Sequence, residues 1–496
     1  MKHAQALVKL RISAWFVLLS MLIGLSVALV PGNLRFQFAQ GVRANAPLED
    51  FRERMDERVP ALMKAHGIPG ASIALVQAGE VVWTEAYGYA DVASGQRLTV
   101  DTPMSVQSIS KPVTAWGVMR LAEQGMIDLD TLVSRYLFSW QFPSSAYPVE
   151  QVTVRQLLSH TAGMPLGDFN DAYAPGEALP ALRDTLQRAA VLEQAPGTRF
   201  AYSNVGFNLL ELLIEDVAGR SFSDYMCEEV FEPLQMRSAT YDVDTAMTPY
   251  PPTGYNLAGQ AVPVYLYPEK GSGGLFATAK DIARFAAAGM KDNPVLSAKG
   301  IERMYAPERR DLGIYGLVFD AYGLGHYLET LPGGARSISH GGQGNGLMTH
   351  LQAVPETGDA IVILTGSQRS WPFIAQLLGD WAQFRGFPSV GMEIILWGHW
   401  GLSAVIGMMM AASLSMLLQA VMAFRRHGQI GVSPVRVIVA LLLLGILLWY
   451  ANQPYLFLKS VFPTLSAWLA GATIALAAAL LLPKWLPLHT RRRGIL

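Results

Sequence analysis

Cysteine is all but missing from this chain: Cys227 is the one thiol in 496 residues. A lone cysteine forms no intramolecular disulfide, and no Cys or His stands near it at metal-ligand spacing. A small side chain buried in a helix is its expected role. Charge is scarce as well. Asp, Glu, Lys and Arg supply 16% of the residues, against roughly 25% in an ordinary soluble domain, and the net charge is −1. Without a basic stripe the chain has little to offer a phosphate backbone, which argues against nucleic-acid binding. There is no His-Glu-x-x-His or comparable ligand cluster, and no Gly-x-Gly-x-x-Gly between a strand and a helix. Metal ions and cofactors therefore have no sequence support. Gly-x-Ser-x-Gly is absent too, which disfavours the α/β-hydrolase form of a Ser-His-Asp triad despite nine histidines.

The charge deficit is concentrated at the two ends. An apolar run from Ile12 to Val30 follows Lys2, Lys9 and Arg11. Its 19 residues exceed the usual ~7–15 of a signal-peptide core and suffice to span a bilayer. Residues 1–46 are thus expected to be a signal anchor or a signal peptide, with the anchor favoured. After Gly391 come three apolar segments, Ile394–Phe424, Val437–Tyr450 and about Leu465–Leu482, none containing Asp, Glu, Lys or Arg. Basic residues sit between and after them, at Arg425, Arg426 and Arg436 and then at Lys484, Arg491, Arg492 and Arg493. Four spans would put every basic cluster on the cytoplasmic side of the inner membrane and the middle of the chain on the periplasmic or extracellular side. Buried soluble helices would not predict where the arginines fall. Spans without Asp, Glu, Lys or Arg fit an anchor better than an ion-coupled transporter. The expected partition is therefore three transmembrane helices over 391–484 and a basic cytoplasmic tail over 485–496, with the lipid bilayer as a partner.

Residues 47–386 read as one mixed α/β domain. Leu48, Phe51, Met55, Val59, Leu62 and Met63 recur at helical spacing up to Gly67. Ala71–Gln77 and Val81–Tyr87 read as a hairpin, and Thr349–Val354 and Ala360–Thr365 as a second strand pair. Ile374–Phe384 reads as a closing helix. Strands from both ends, with a largely helical region to about residue 300 between them, imply a sheet assembled around a helical insert.

The candidate chemistry begins at Ser108 and Lys111, one helical turn apart ahead of the apolar run Val113–Met119. Pro112 fits only near a helix start. A hydroxyl and an amine on one face of a helix N-terminus are the parts of an activated serine nucleophile. The pattern alone is common, and its bland reading is an N-cap serine beside a solvated lysine. Further stretches add weight. Tyr202-Ser203-Asn204 precedes the apolar helix Val205–Val217, and its Tyr and Asn would project from one face of an extended segment. The run His340-Gly341-Gly342-Gln343-Gly344-Asn345-Gly346 stands before a strand, where missing side chains let a ligand approach the backbone, unless it is a plain hairpin loop. Leu157–Pro165 includes His160, expected to be structural.

In order and spacing, Ser108-x-x-Lys111, Tyr202-x-Asn204 and His340-Gly341-Gly342 resemble the three active-site motifs of class C β-lactamase-like serine hydrolases. Penicillin-binding peptidases, D-amino-acid peptidases and esterases belong to that superfamily. Leu157–Pro165, Pro196–Leu210 and Gly273–Asp281 are also similar to it, and the resemblance covers about residues 48–385. It implies a β-lactamase/transpeptidase-like fold. It also implies Ser108 as the nucleophile of an acyl-enzyme, with Lys111 and Tyr202 moving its proton in an order the resemblance leaves open. Asn204 would orient substrate or the lysine, and the N–H groups of Ser108 and Gln343 would form an oxyanion hole. His340 stands where many members carry a lysine, which weakens a β-lactamase assignment. An exported domain before three C-terminal spans also resembles membrane-bound prodrug-activating peptidases that remove an N-acyl-D-asparagine cap. Gln343 and Asn345 are then candidate substrate contacts. The expectation is a membrane-anchored peptidase or amidase acting on acylated or D-amino-acid-containing peptides. An esterase or β-lactamase of the same fold is the alternative, and a non-catalytic sensor or scaffold is the reading from another class. Nothing in the sequence fixes an oligomeric state.

Overall fold

The computed structural model describes residues 43–167, 172–424, 430–452, 457–482 and 484–485. The apolar run Ile12–Val30, the basic residues Lys2, Lys9, Arg11, Arg425, Arg426 and Arg491 to Arg493, and nearly all of the tail expected over 485–496 lie outside the described residues. Contacts divide the chain into two units that meet in sequence at Ile394 and Ile395.

In the larger unit, helix α1 (Leu48–His66) opens the domain. Glu49 and Asp50 lie in its first turn, Lys64 and His66 in its last, complementing the helix dipole. Gly67 ends it at φ 66°, its N–H bonded to the Met63 carbonyl. Phe51, Met55, Val59, Leu62 and Met63 are buried, the stripe that the spacing predicts.

Eight antiparallel strands form one sheet: β1 (Gly70–Gln77), β2 (Glu80–Asp91), β3 (Gln96–Arg97), β4 (Ala321–Tyr322), β5 (Tyr327–Thr330), β6 (Arg336–Gly344), β7 (Leu347–Val354) and β8 (Asp359–Thr365). Their spatial order is β3-β2-β1-β8-β7-β6-β5-β4. The first and last strand groups join through β1 and β8, with Ala71 opposite Thr365 and Val76 opposite Ala360. Both strands are buried on both faces, which accounts for their unbroken apolar sequence. The expected sheet from distant segments is therefore what forms, on a mixed α/β plan.

One sheet face is covered by α1 and by helix α5 (Trp371–Arg385), with Phe51 and Phe384 stacked at 4.2 Å. Arg58 and Asp380 form a buried ion pair there. On the other face, Ala74, Val76, Val362 and Leu364 share a core with helices α2 (Ser110–Glu123), α3 (Asn204–Ala218) and α4 (Ala279–Ala288). Trp116 of α2 lies 4.9 Å from Phe285 of α4, ring centre to ring centre.

The insert between β3 and β4 carries less helix than its composition suggests. From Gly125 to Asn204 the helices are short, notably Val154–Leu158 and Leu182–Ala189, joined by loops. Prolines and glycines cut the apolar periodicity before most helices reach three turns. Cys227 departs from its expected role. It opens a one-turn π-type segment, Cys227–Phe231, and is only half-buried, because Phe222, Tyr225 and Met226 take the core-facing positions.

The smaller unit contains α6 (Ile394–Phe424), α7 (Pro434–Ala451) and α8 (Pro463–Leu480). Among the described residues three helices are long and apolar enough to cross a membrane. The 18-residue pair, α7 and α8, each reach about 27 Å at 1.5 Å per residue. Both start on a proline, two or three residues ahead of the first residue expected from hydropathy. Ala440 of α7 packs against Ala477 and Leu480 of α8, while Leu441, Leu442, Ile446 and Leu448 are exposed. Small residues inward and large apolar residues outward suit a bilayer environment.

Candidate active site

Ser108 sits in a one-turn 3-10 helix, Gln107–Ile109, that feeds directly into α2. The residue before it, Gln107, has φ 52°, a left-handed conformation that costs a non-glycine residue energy unless its surroundings hold it. They do so on both sides. Gln107 donates from Nε2 to Ser105 Oγ at 2.7 Å and accepts at Oε1 from the Tyr267 hydroxyl at 3.3 Å. Ser110 Oγ donates to the Gln107 carbonyl at 2.7 Å and accepts from Leu275 N–H at 3.1 Å. This turn is thereby locked, with Ser108 half-buried in it.

Lys111 is fully buried, and its Nζ lies 3.1 Å from Ser108 Oγ. The same nitrogen donates to Asn204 Oδ1 at 2.7 Å and to the Ser272 carbonyl at 2.8 Å. Burial holds its pKa well below the ordinary 10.5. In its neutral form, which burial favours, this amine has two N–H bonds and one lone pair. Asn204 Oδ1 and Ser272 O can only accept, so they take both N–H bonds. The lone pair is then left for the Ser108 hydroxyl, the one partner able to donate.

Tyr202 and Asn204 reach this lysine from an unexpected local structure. Asn204 is not in an extended segment: it is the first residue of α3, capped by Ser203, whose side chain accepts from Gly206 N–H. The Tyr202 ring centre lies 4.8 Å from Lys111 Nζ. His160 fixes that tyrosine. Its ring packs on Tyr202 at 4.4 Å, its carbonyl accepts from Ala201 N–H at 2.8 Å, and its Nδ1 accepts from Ser203 N–H at 3.2 Å. Burial first, and then nearby Lys111, hold His160 well below its usual pKa, in keeping with its expected structural role.

The glycine run proves to be strand rather than loop. His340, Gly341, Gly342 and Gln343 lie on β6, and only Asn345-Gly346 turn the chain into β7. A Cβ on Gly342 would sit 2.2 Å from Thr349 Oγ1 and 2.4 Å from the Val106 carbonyl; one on Gly344 would meet the Gln107 side chain at 2.3 Å. Glycine is thus what brings β6 against the turn that carries Ser108. Thr349 Oγ1, donating to the Val106 carbonyl at 2.7 Å, ties the two together. Gly342→Ala is expected to push the strand off this turn, lowering stability by about 1–3 kcal/mol as overpacking does. Turnover should fall more steeply than the melting temperature, which thermal unfolding and initial rates on one preparation would establish.

His340 is buried, its Nδ1–H bonded to the Gly341 carbonyl at 2.8 Å, and its Nε2 has no hydrogen-bond partner among the described residues. Burial and the neighbouring lysine hold its pKa well below the usual value, so it is uncharged at neutral pH. Gln343 accepts from Trp371 Nε1 at 3.0 Å, and Asn345 is exposed at the hairpin tip. Neither His160 nor His340 has a carboxylate on Nδ1, so neither is the Asp-oriented imidazole of a Ser-His-Asp triad. Among the described residues no group of three or more His, Cys, Asp or Glu is arranged to hold a metal ion.

Several neighbours escaped the sequence reading. Tyr327 lies parallel to Tyr202 at 6.5 Å, and Tyr315 is 5.9 Å from Tyr202 and 5.7 Å from Tyr327, giving one side of the site an aromatic wall. The Ser272 carbonyl is a backbone group with no side-chain signature. Its one signal was the glycine-rich run Gly271-Ser272-Gly273-Gly274.

The fold and the family match define the class, a serine hydrolase of the β-lactamase and penicillin-binding type. The chain belongs to the Beta-lactamase family, whose sequence profile matches residues 55–377. It is 32% identical over 223 residues to "Protein flp" of Staphylococcus aureus (strain MW2), an alignment spanning 44% of each chain. The match thus spans less than half the length of that relative. In fold it resembles the octameric penicillin-binding protein homologue from Pyrococcus abyssi, with a TM-score of 0.56, 26% identity, and coverage of 66% of this chain and 77% of that one. A class C β-lactamase aligns with a TM-score of 0.54 over 66% of this chain and 93% of its own; at 22% identity that likeness is one of fold.

Proposed function

We propose that the protein is a membrane-anchored hydrolase that works through an acyl-enzyme on Ser108. The arrangement at Lys111 carries this reading: a buried amine with its pKa held well below the ordinary lysine value, bonded to the Asn204 side chain and the Ser272 carbonyl and 3.1 Å from a serine hydroxyl. Ser108 Oγ attacks the substrate carbonyl carbon while its proton passes to the Lys111–Tyr202 pair. The C–N or C–O bond then breaks, the leaving group takes that proton, and water attacks the ester to regenerate the serine. Backbone N–H groups of Ser108 and Gln343 would hold the oxyanion, each worth about 2.7–4 kcal/mol of barrier. Asn204 orients the lysine, and the strand from His340 to Gln343 forms one edge of the substrate groove.

The substrate proposed is an N-acylated or D-amino-acid-containing peptide or amide. The uncharged state of His340 supports this over a β-lactamase, because a neutral imidazole gives no fixed charge to an antibiotic carboxylate. The aromatic wall of Tyr202, Tyr315 and Tyr327 would favour an apolar group beside the scissile bond. The spans hold the catalytic domain, residues 47–386, at the outer face of the inner membrane, the side opposite the basic clusters.

Purified protein in detergent tests the substrate class. An N-acyl-D-aminoacyl amide, a chromogenic cephalosporin and a short-chain ester are offered at equal concentration. The amide is expected to turn over fastest by kcat/KM. Rapid cephalosporin hydrolysis with no amide cleavage would overturn the peptidase reading.

A further inference from the structure

Glu211 takes no part in the chemistry above, yet it is a carboxyl group buried in the catalytic unit, 2% exposed. It lies on α3 at helical spacing from Asn204 and Phe207, so the three share one face. Asn204 holds Lys111 Nζ directly, and the Phe207 ring centre lies 5.9 Å from that nitrogen. Glu211 Oε2 accepts from the backbone N–H groups of both Lys270 and Gly271, each at 2.7 Å. The next residue, Ser272, supplies the carbonyl that takes the second N–H of Lys111. The far side of this loop is held by Thr114, one turn after Lys111 on α2, whose hydroxyl donates to the Gly271 carbonyl at 2.8 Å.

We infer that Glu211 is a positioning residue for the reaction: by gripping the Lys270–Gly271 amides it fixes the Ser272 carbonyl, and through it the direction of the Lys111 lone pair. This rests on the proposed role of Lys111. Two acceptors are the minimum that stops a primary amine from rotating. With Asn204 alone, the amine turns about one bond and its lone pair leaves the Ser108 hydroxyl. The approach needs glycine at 271, where a Cβ would lie 2.8 Å from the Phe207 carbonyl and 3.0 Å from Glu211 Cβ. Burial raises the Glu211 carboxyl to about 8, with Glu215 and Lys270 the charged groups beside it. At neutral pH it is mostly an uncharged acid, whose carbonyl oxygen accepts both amides. Glutamine offers the same oxygen at the same reach, while aspartate is one methylene short.

The test uses full-length protein in detergent and the best substrate of the panel. Glu211→Ala and Glu211→Asp are expected to lower kcat/KM about ten- to hundredfold, the cost of a misplaced catalytic group, while Glu211→Gln keeps it within about threefold of wild type. Thermal unfolding is read in parallel, and Asp serves as the loss variant should Ala not fold. Wild-type kcat/KM in Glu211→Asp would overturn the inference. So would a Gln variant as impaired as Asp, since a charge or proton would then matter instead of the acceptor. Ser108→Ala run beside them separates the two claims: full activity there sinks the acyl-enzyme reading itself, whatever the Glu211 series shows.

Discussion

Lys111→Met is expected to lower kcat/KM by about 10²–10⁴, the range that general-base assistance supplies, while making the folded domain more stable at neutral pH. The two effects have one cause. Burial lowers the pH at which the folded site takes up a proton that the unfolded lysine binds at every pH below about 10.5. The unfolded state therefore carries more protons, and by linkage stability rises with pH across the window from the lowered folded pKa up to 10.5. Below that window the penalty of charging a buried amine is no longer set by pH. Methionine has similar length and no proton to lose, so it removes the slope. The stability advantage of the variant should be largest near neutral pH and shrink as pH approaches 10. Thermal unfolding of both proteins from pH 7 to 10, beside kcat/KM, would read the two effects on one pair of samples. A variant that is both active and less stable at every pH would mean that Lys111 is an ordinary packing residue.

Ser108→Ala is expected to have the larger effect on turnover, a loss of about 10⁴–10⁶-fold, because no other hydroxyl replaces the covalent step. Fold and stability should hardly change. The Ser108 side chain is half-buried, and the turn that carries it is locked by Gln107, Ser110 and Thr349 without help from its own hydroxyl. Residual hydrolysis would come from the oxyanion donors and bound water, as it does when a nucleophile is removed but its surroundings remain.

The parts of this site that the sequence revealed are those carried by side chains at short spacing. Ser108 and Lys111 are three apart at a helix start, and no tertiary information was needed to bring them together. The hairpin and the closing strand pair were legible because buried strands announce themselves in runs such as Ala-Ile-Val-Ile-Leu. The glycines near His340 were harder. A glycine run signals close approach but does not say of what, and only the positions of Thr349 and Val106 turn it from a loop into the strand beside the nucleophile. Tyr-x-Asn looks like alternation and so suggests an extended Asn204, whereas Ser203 is a helix cap and Asn204 the first helical residue. The Ser272 carbonyl and its support by Glu211 were out of reach. They depend on a backbone group meeting Lys111 across 161 residues, and backbone groups carry no sequence identity.

The most direct measurement is the intact mass of full-length protein after brief exposure to a fluorophosphonate probe, followed by peptide mapping, with Ser108→Ala beside it. One adduct per chain on the peptide containing Ser108, absent from the alanine variant, is the predicted result. Equal labelling of both proteins, or an adduct on another serine, would contradict the acyl-enzyme at Ser108.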